Sequence, residues 1–321
     1  MKASLLVPVY NREKYLAECL ESVVAQQFDS LEILIADDAS TDSSPDIIKQ
    51  FAARDSRIRW WRNPKNLGLT PNTNKMLKEA RGEYVKFVHS DDKLLSPFAI
   101  QKMAAVLDKN PNAAIVSTKW HQTGTDHPPL VFRETSTCIK GRDMIVECFE
   151  RNGNCIGTPT FAMFRRLQAQ RGFDERFTVY MDWELWNYLL QQGDYEYLAE
   201  QLVTWRVHND QSSSTNLGYV ERPLFIEVCL STPWFRELAT DKMLFTMIYY
   251  LRRDHGDKVL PLTRELSAQL PAHRYYRLWL ERKFSQAVSK LQRKWDRKRA
   301  KRTNSASRAH NSGSPVSTNQ I

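Results

Sequence analysis

Cysteine is scarce in this 321-residue chain, and its placement excludes two of its common uses. Cys19, Cys138, Cys148, Cys155 and Cys229 form no C-x-x-C pair. Their odd number and wide spacing argue against a disulfide framework or a zinc site. Each is expected as a small core residue in a reducing compartment. Long apolar runs are missing as well. The longest near the end, Met243 to Leu251, is interrupted by Thr246 and falls far short of a membrane span. The opening Met-Lys-Ala-Ser-Leu-Leu-Val-Pro-Val-Tyr is too short for a signal peptide and merges into a strand, so a cytoplasmic protein is expected. No internal repeat is visible, and no glycine occurs between Pro8 and Lys14. Basic residues, too, are in excess only locally. The net charge is +9, but Arg282 to Arg308 holds eleven Lys or Arg against Asp296 alone, and the rest of the chain sums to −1. The basicity belongs to the tail, and no nucleic acid partner is expected.

What is present is ample material for a core: 42% hydrophobic residues, with nine Trp, twelve Tyr and fourteen Phe. The length allows one large domain or two smaller ones. Strand-like runs at Ser4–Val9, Leu31–Ala36, Arg57–Arg62, Tyr84–Val88 and Ala113–Thr118 alternate with helical stripes at Glu13–Gln27, after Pro45, at Pro71–Ala80 and at Pro97–Lys109. That alternation predicts an α/β fold with a mainly parallel sheet flanked by helices. From His121 to Cys155 the pattern is weak and reads as loop with short elements. Thr158–Phe164, Tyr195–Leu198 and Leu202–Trp205 read as strands, and Met181–Gln192 as a helix. From Glu221 onward the chain turns helical, as at Leu238–Leu251 and Arg274–Trp295. We place domain boundaries at 1–215, 216–302 (a helical appendage) and 303–321, a Ser-, Asn-, Gly- and Pro-rich tail expected to be disordered.

The chain is organised around Tyr84–Lys93, in which a strand runs into Asp91-Asp92. Carboxylates at the carboxyl end of a strand sit where open α/β sheets bind ligands. Neighbours in an extended chain point to opposite faces, so one acid is expected to hold a divalent metal while the other accepts from a ligand hydroxyl. The plainer alternative is a solvated turn capping the next helix.

Further motifs accompany these acids: Val7-Pro8-Val9-Tyr10-Asn11, Ile35-Ala36-Asp37-Asp38-Ala39-Ser40-Thr41-Asp42, Asn66-Leu67-Gly68, Gly82-Glu83-Tyr84, His89-Ser90-Asp91-Asp92, Asp182-Trp183-Glu184-Leu185-Trp186 and Trp205-Arg206-Val207-His208. In this order, over roughly residues 1–215, the chain resembles the family 2 glycosyltransferases of the GT-A fold. The resemblance implies a nucleotide-diphosphate sugar donor, Mn²⁺ or Mg²⁺, and transfer with inversion at the anomeric carbon. It implies that Pro8 and Tyr10 line the nucleotide base with Asn11 beside them, and that Asp38 accepts from the base ring. Asn66 and Gly68 would shape the nucleotide pocket. Asp91 would face the ribose or donor sugar, and Asp92 would hold the metal. His208 is expected near the metal or diphosphate, with a surface loop histidine as the ordinary alternative. Arg206 is placed on the donor side, or pairs with an acid behind the site. His89 reads as strand-end packing.

A direct displacement needs a base for the acceptor hydroxyl. Asp182 shares the i, i+3, i+4, i+7 stripe of Leu185, Trp186 and Leu189 and so faces inward, whereas Glu184 lies about 200° round the helix. The alternative for Asp182 is a solvent-facing helix cap. The residue before it is Met181, where many members of the family carry Glu. The expected function is an inverting, metal-dependent glycosyltransferase of surface polysaccharide or glycoconjugate synthesis, acting on a saccharide or lipid-linked saccharide acceptor. Two rivals are weighed: a GT-A scaffold that binds nucleotide sugar without turnover, and a sugar nucleotidyltransferase, whose early Gly-rich loop is absent here. At the helical end, Arg274–Leu291 is expected to pack on the catalytic body. Lys290–Arg302 suits an anionic membrane surface, with the protein peripheral at its inner face.

Overall fold

In the computed structural model the described residues are 1–125, 133–208, 211, 217–256, 260–286 and 289. Four parallel strands form the first half of the sheet: β1 (Ala3–Val9), β2 (Leu31–Asp37), β3 (Ile58–Arg62) and β4 (Tyr84–Phe87), in the order β3-β2-β1-β4. Helices α1 (Glu13–Val24), α2 (Ser44–Arg54) and α3 (Leu69–Glu79) make the crossovers. All seven residues of β1 and of β2 are buried, as required of strands covered on both faces.

Beyond β4 the sheet becomes mixed. A two-residue strand β5 (Lys93–Leu94) and helix α4 (Ala99–Lys109) lead to β6 (Ala113–Thr123), followed by β7 (Thr137–Ile139), α5 (Gly141–Arg151), β8 (Ala162–Arg165), α6 (Met181–Leu190) and β9 (Asp194–Arg206). Strand β8 runs antiparallel between β4 and β6, and β9 lies parallel to β6. Helices α7 (Leu217–Leu230), α8 (Pro233–Leu238), α9 (Asp241–His255) and α10 (Leu260–Gln269) follow, and residues 272–286 form a further helix.

Alternation along β1 and β2 divides the core. Leu5, Val7, Ile33 and Ile35 face α1, α2 and α4 through Leu16, Leu20, Ile48, Phe51, Ile100 and Met103. Leu6, Leu34, Val85 and Phe87 face the other way, into one continuous core with α3, α5 and α6. Phe225, Phe235, Met243, Ile248 and Leu266 of the C-terminal helices belong to that same core.

Several expectations need correction. The stretch read as loop contains α5, whose Met144, Ile145, Cys148 and Phe149 are buried. Gly141 opens this helix because a Cβ there would meet the carbonyl oxygen of Leu190 at 2.0 Å. The two strands expected at 195–205 are the single strand β9. Strand β6 runs to Thr123 rather than Thr118, and α4 begins at Ala99, two residues past Pro97. Four cysteines are buried as expected, but Cys138 on β7 is exposed. Expectations for 126–132, 290–302 and 303–321 lie outside the described residues.

Candidate active site

Because β3, β2, β1 and β4 are parallel, their carboxyl ends share one edge, and the segments that leave them line one cavity of about 420 Å³. Pro8 and Tyr10 come from the end of β1, Asp38 from β2, Asn66 and Gly68 from the β3–α3 loop, and Asp91 and Asp92 from β4. Asp182 closes the cavity from the first turn of α6. Of the residues singled out from sequence, Asn11, Arg206 and His208 do not line it.

The end of the cavity next to β2 is built on hydrogen bonds to Asp38. Its carboxylate accepts from the Leu67 and Gly68 amides and from the Asn63 side chain, each at 2.9 Å. This buried acid therefore fixes the 66–68 loop, a role the sequence did not suggest. Asn66 Oδ1 accepts from Gly68 N at 2.9 Å, and Gly68 has φ +89° with ψ 162°, a conformation open essentially only to glycine. Asn11 stands in the left-handed region at φ +50°, and its side chain accepts from the Thr41 amide at 2.8 Å, so it shapes the β1 loop from behind.

The two acids do not sit in extended chain. Residues 89–92 form a turn, closed by Asp92 N donating to His89 O at 2.8 Å. One ligand atom each from His89, Asp91 and Asp92 consequently falls within 4.8 Å of the others, so the expectation of opposite faces is overturned by the turn. Burial first, and then Asp91, pushes the Asp92 carboxyl up to about 8. An oxygen-rich, enclosed cluster of this kind fits a hard divalent cation, whose charge would offset both effects.

Around the turn the neighbours are polar and specific. Arg206 N donates to Asp92 Oδ1 at 3.1 Å, while its guanidinium reaches the Asp91 carbonyl at 3.0 Å and pairs with Glu18. It braces the acids from behind, the second of the two readings made for it. His208 Nε2 lies 2.9 Å from Asp91 Oδ2, with its ring against Tyr15. His208 thus reaches the cluster through Asp91, whereas His89, read as packing, belongs to the cluster and lines the cavity. Arg12 approaches Asp91 at 3.6 Å from the β1 side and also lines the cavity.

On α6, Leu185, Trp186 and Leu189 are fully buried and Asp182 faces the cavity, as their shared stripe predicts. Glu184 is turned away and paired with Arg171 at 2.8 Å. Asp182 Oδ1 accepts from Trp183 N at 2.6 Å, but the helix cap position is Tyr180 and Asp182 faces the cavity, so the solvent-facing cap that was its plainer reading does not hold. Enclosure by the protein is the main cause that pushes its carboxyl up to about 7, opposed by hydrogen bonds from Trp183 N and Asn154. Met181 is buried, with Sδ 3.3 Å from the Thr70 hydroxyl.

Sequence reasoning passed over several residues. Lys86 is wholly buried in β4 under the acid turn and donates to the Phe87 and Thr160 carbonyls. Burial lowers its ammonium to about 7. A lysine inside an otherwise apolar strand was the signal available, since buried cations need partners. Nothing local to Asn63 or Thr160 would have marked them.

The sequence matches the family described as Glycosyl transferase family 2 over residues 4–172. It is 31% identical over 228 residues to the putative glycosyltransferase EpsE of Bacillus subtilis, covering 68% of this chain and 77% of that protein. It is 41% identical over 106 residues to the putative glycosyltransferase EpsH of the same organism, but the alignment spans 33% of this chain and only 30% of that protein. Among solved structures, S. aureus TarS 1-349 in complex with UDP-GlcNAc superposes with a TM-score of 0.63 at 20% identity, covering 87% of this chain and 79% of that one. At that identity the likeness speaks for the GT-A fold.

Proposed function

The chain belongs to glycosyl transferase family 2, and from that premise we propose that it moves a sugar from a nucleotide-diphosphate donor to an acceptor hydroxyl with inversion. One observation carries this reading. A single cavity holds a buried acid cluster fit for a divalent cation and, apart from it, a carboxyl pushed up to about 7.

In this reading Pro8, Tyr10 and the loop held by Asp38 receive the nucleotide, and Arg12 faces its phosphates. Asp91, Asp92 and His89 would hold Mn²⁺ or Mg²⁺, with His208 steadying Asp91. The bound cation would supply charge neutralisation for the departing diphosphate. Asp182 takes the proton of the acceptor hydroxyl. The acceptor oxygen then bonds to the anomeric carbon as the bond to the diphosphate oxygen breaks on the opposite face, which inverts the centre. Trp205, Thr158 and Val179 line the cavity as well and offer an aromatic and polar wall for a saccharide acceptor.

Thermal stabilisation by UDP, GDP and their sugars, with and without Mn²⁺, tests the donor side, because a ligand of the native state raises the melting point. We expect a metal-dependent shift with one nucleotide that is absent in Asp92→Asn. A failure of every nucleotide to shift the melting point would overturn the donor site.

We further propose that the C-terminal region rests on an anionic membrane carrying the acceptor. No described helix is long and apolar enough to cross a membrane. In the helix at 272–286, Tyr275 and Trp279 pack on the core, while Tyr276, Leu280 and Phe284 form an exposed i, i+4, i+8 stripe. Arg277 and Lys283 belong to the same helix, and the strongly basic sequence follows it. Co-sedimentation with phosphatidylglycerol vesicles, weakened by salt and by Phe284→Ser, is the expected result. Equal pelleting with phosphatidylcholine alone would refute the charge-based reading.

A further inference from the structure

The segment that leads into α6 is held by a residue from the helical region that follows the sheet. Glu221, on α7, is buried, and its carboxylate accepts three successive backbone hydrogen bonds, from Thr178 N at 2.8 Å, Val179 N at 2.9 Å and Tyr180 N at 3.0 Å. Its neighbour Arg222 donates to the Tyr180 hydroxyl at 2.9 Å and is anchored in turn by Asp254 of α9 at 2.9 Å. Thr178, Val179, Met181 and Asp182 all line the cavity. One acid therefore pins the backbone of the cavity wall from which the candidate base projects.

We propose that Glu221 is a positioning residue for sugar transfer, fixing residues 178–180 and, through them, the orientation and charge environment of Asp182. The proposal rests on the reading of Asp182 as base. A carboxylate at a helix N-terminus offsets the positive end of the helix, which otherwise stabilises any anion in the first turn. Glu221 thus opposes ionisation of Asp182 in two ways, by neutralising that end and by direct repulsion, and it is one of the groups that raise this carboxyl. The other groups facing Asp182 are fixed. Asn154 donates to it, Glu184 is paired with Arg171, and Arg222 is paired with Asp254. Across the cavity stand Arg12, Asp38, His89, Asp91 and Asp92.

The test uses the full chain labelled with ¹³C-carboxyl aspartate, and the Asp182 signal is assigned by its loss in Asp182→Asn. Glu221→Gln keeps an acceptor oxygen but removes the charge. We expect the Asp182 titration midpoint to fall by about half a pH unit or more in this variant, while nucleotide-diphosphate binding is retained. An unchanged midpoint in a folded Glu221→Gln would overturn the proposal. If that variant does not fold, amide exchange on the parent chain decides. Protection of the Thr178, Val179 and Tyr180 amides comparable to α6 supports the proposal, and exchange at loop rates refutes it. Turnover of Asp182→Asn separates the two levels. Full activity there removes the base assignment itself, whatever the titration of Asp182 shows.

Discussion

Asp182 shows what a helical periodicity can and cannot predict. The stripe it shares with Leu185, Trp186 and Leu189 turns it into the cavity, and the same geometry sends Glu184 to Arg171. Its raised carboxyl was not legible, because it comes from enclosure by residues far along the chain that wall the cavity. Two expectations follow. As the general base we propose, it must be ionised, so kcat/KM should rise with pH up to about 7 and then level, and Asp182→Asn should lose about 10²–10⁴-fold in turnover. The folded chain also keeps a proton on Asp182 that the unfolded chain releases near 3.8. The stability linked to that proton is full below about pH 4 and lost as pH rises to about 7. Asp182→Asn should therefore melt higher than the parent at pH 8 and show no such gain at pH 4, as calorimetry would reveal. At Asp91 and Asp92 the sequence misled, because a strand-end pair was treated as extended chain when the amide of Asp92 closes a turn onto His89. The same turn drew in His89, whose part in the cluster no periodicity could show.

Elements with strong periodicity were read well, and those whose identity depends on distant partners were not. β1, β2 and β4 are buried throughout and apolar apart from Ser4, Glu32, Asp37 and Lys86, as expected of strands covered on both faces. α5 was missed because its short apolar stripe is diluted by Arg142, Asp143, Glu147 and Glu150, and it is stabilised by packing against α6 and α9 rather than by its own pattern. β9 read as two strands because Ala199, Glu200 and Gln201 interrupt its apolar run, and the register against β6 shifts near this point. The loop before α3 makes the sharpest prediction at this scale. Alanine at Gly68 would strain the backbone by about 1–3 kcal/mol. Relaxation would withdraw an amide from Asp38. Gly68→Ala should lower the melting temperature and weaken nucleotide binding, while leaving the titration of Asp182 unchanged.

At the scale of the molecule, the change to helices near residue 216 was plain in the sequence, but the packing of those helices was not, since apolar stripes do not name their partners. Phe225 stacks on Phe149 and lies tilted against Trp183, Phe235 meets Phe149 edge-on, and Ile248 and Leu251 complete the same core. A chain ending at residue 216 retains every acid of the cavity yet uncovers this aromatic cluster. It should show no cooperative unfolding transition in calorimetry; a sharp transition in the shortened chain would mark 1–215 as an independent unit. The contact between Glu221 and Thr178–Tyr180 also gives the chain an order in time. Synthesis delivers Asp91, Asp92 and Asp182 before the helix that steadies the last of them. If Glu221 positions Asp182 as proposed, a nascent chain on the ribosome carries a complete set of acids without a competent wall, and activity begins only once α7 has emerged and docked.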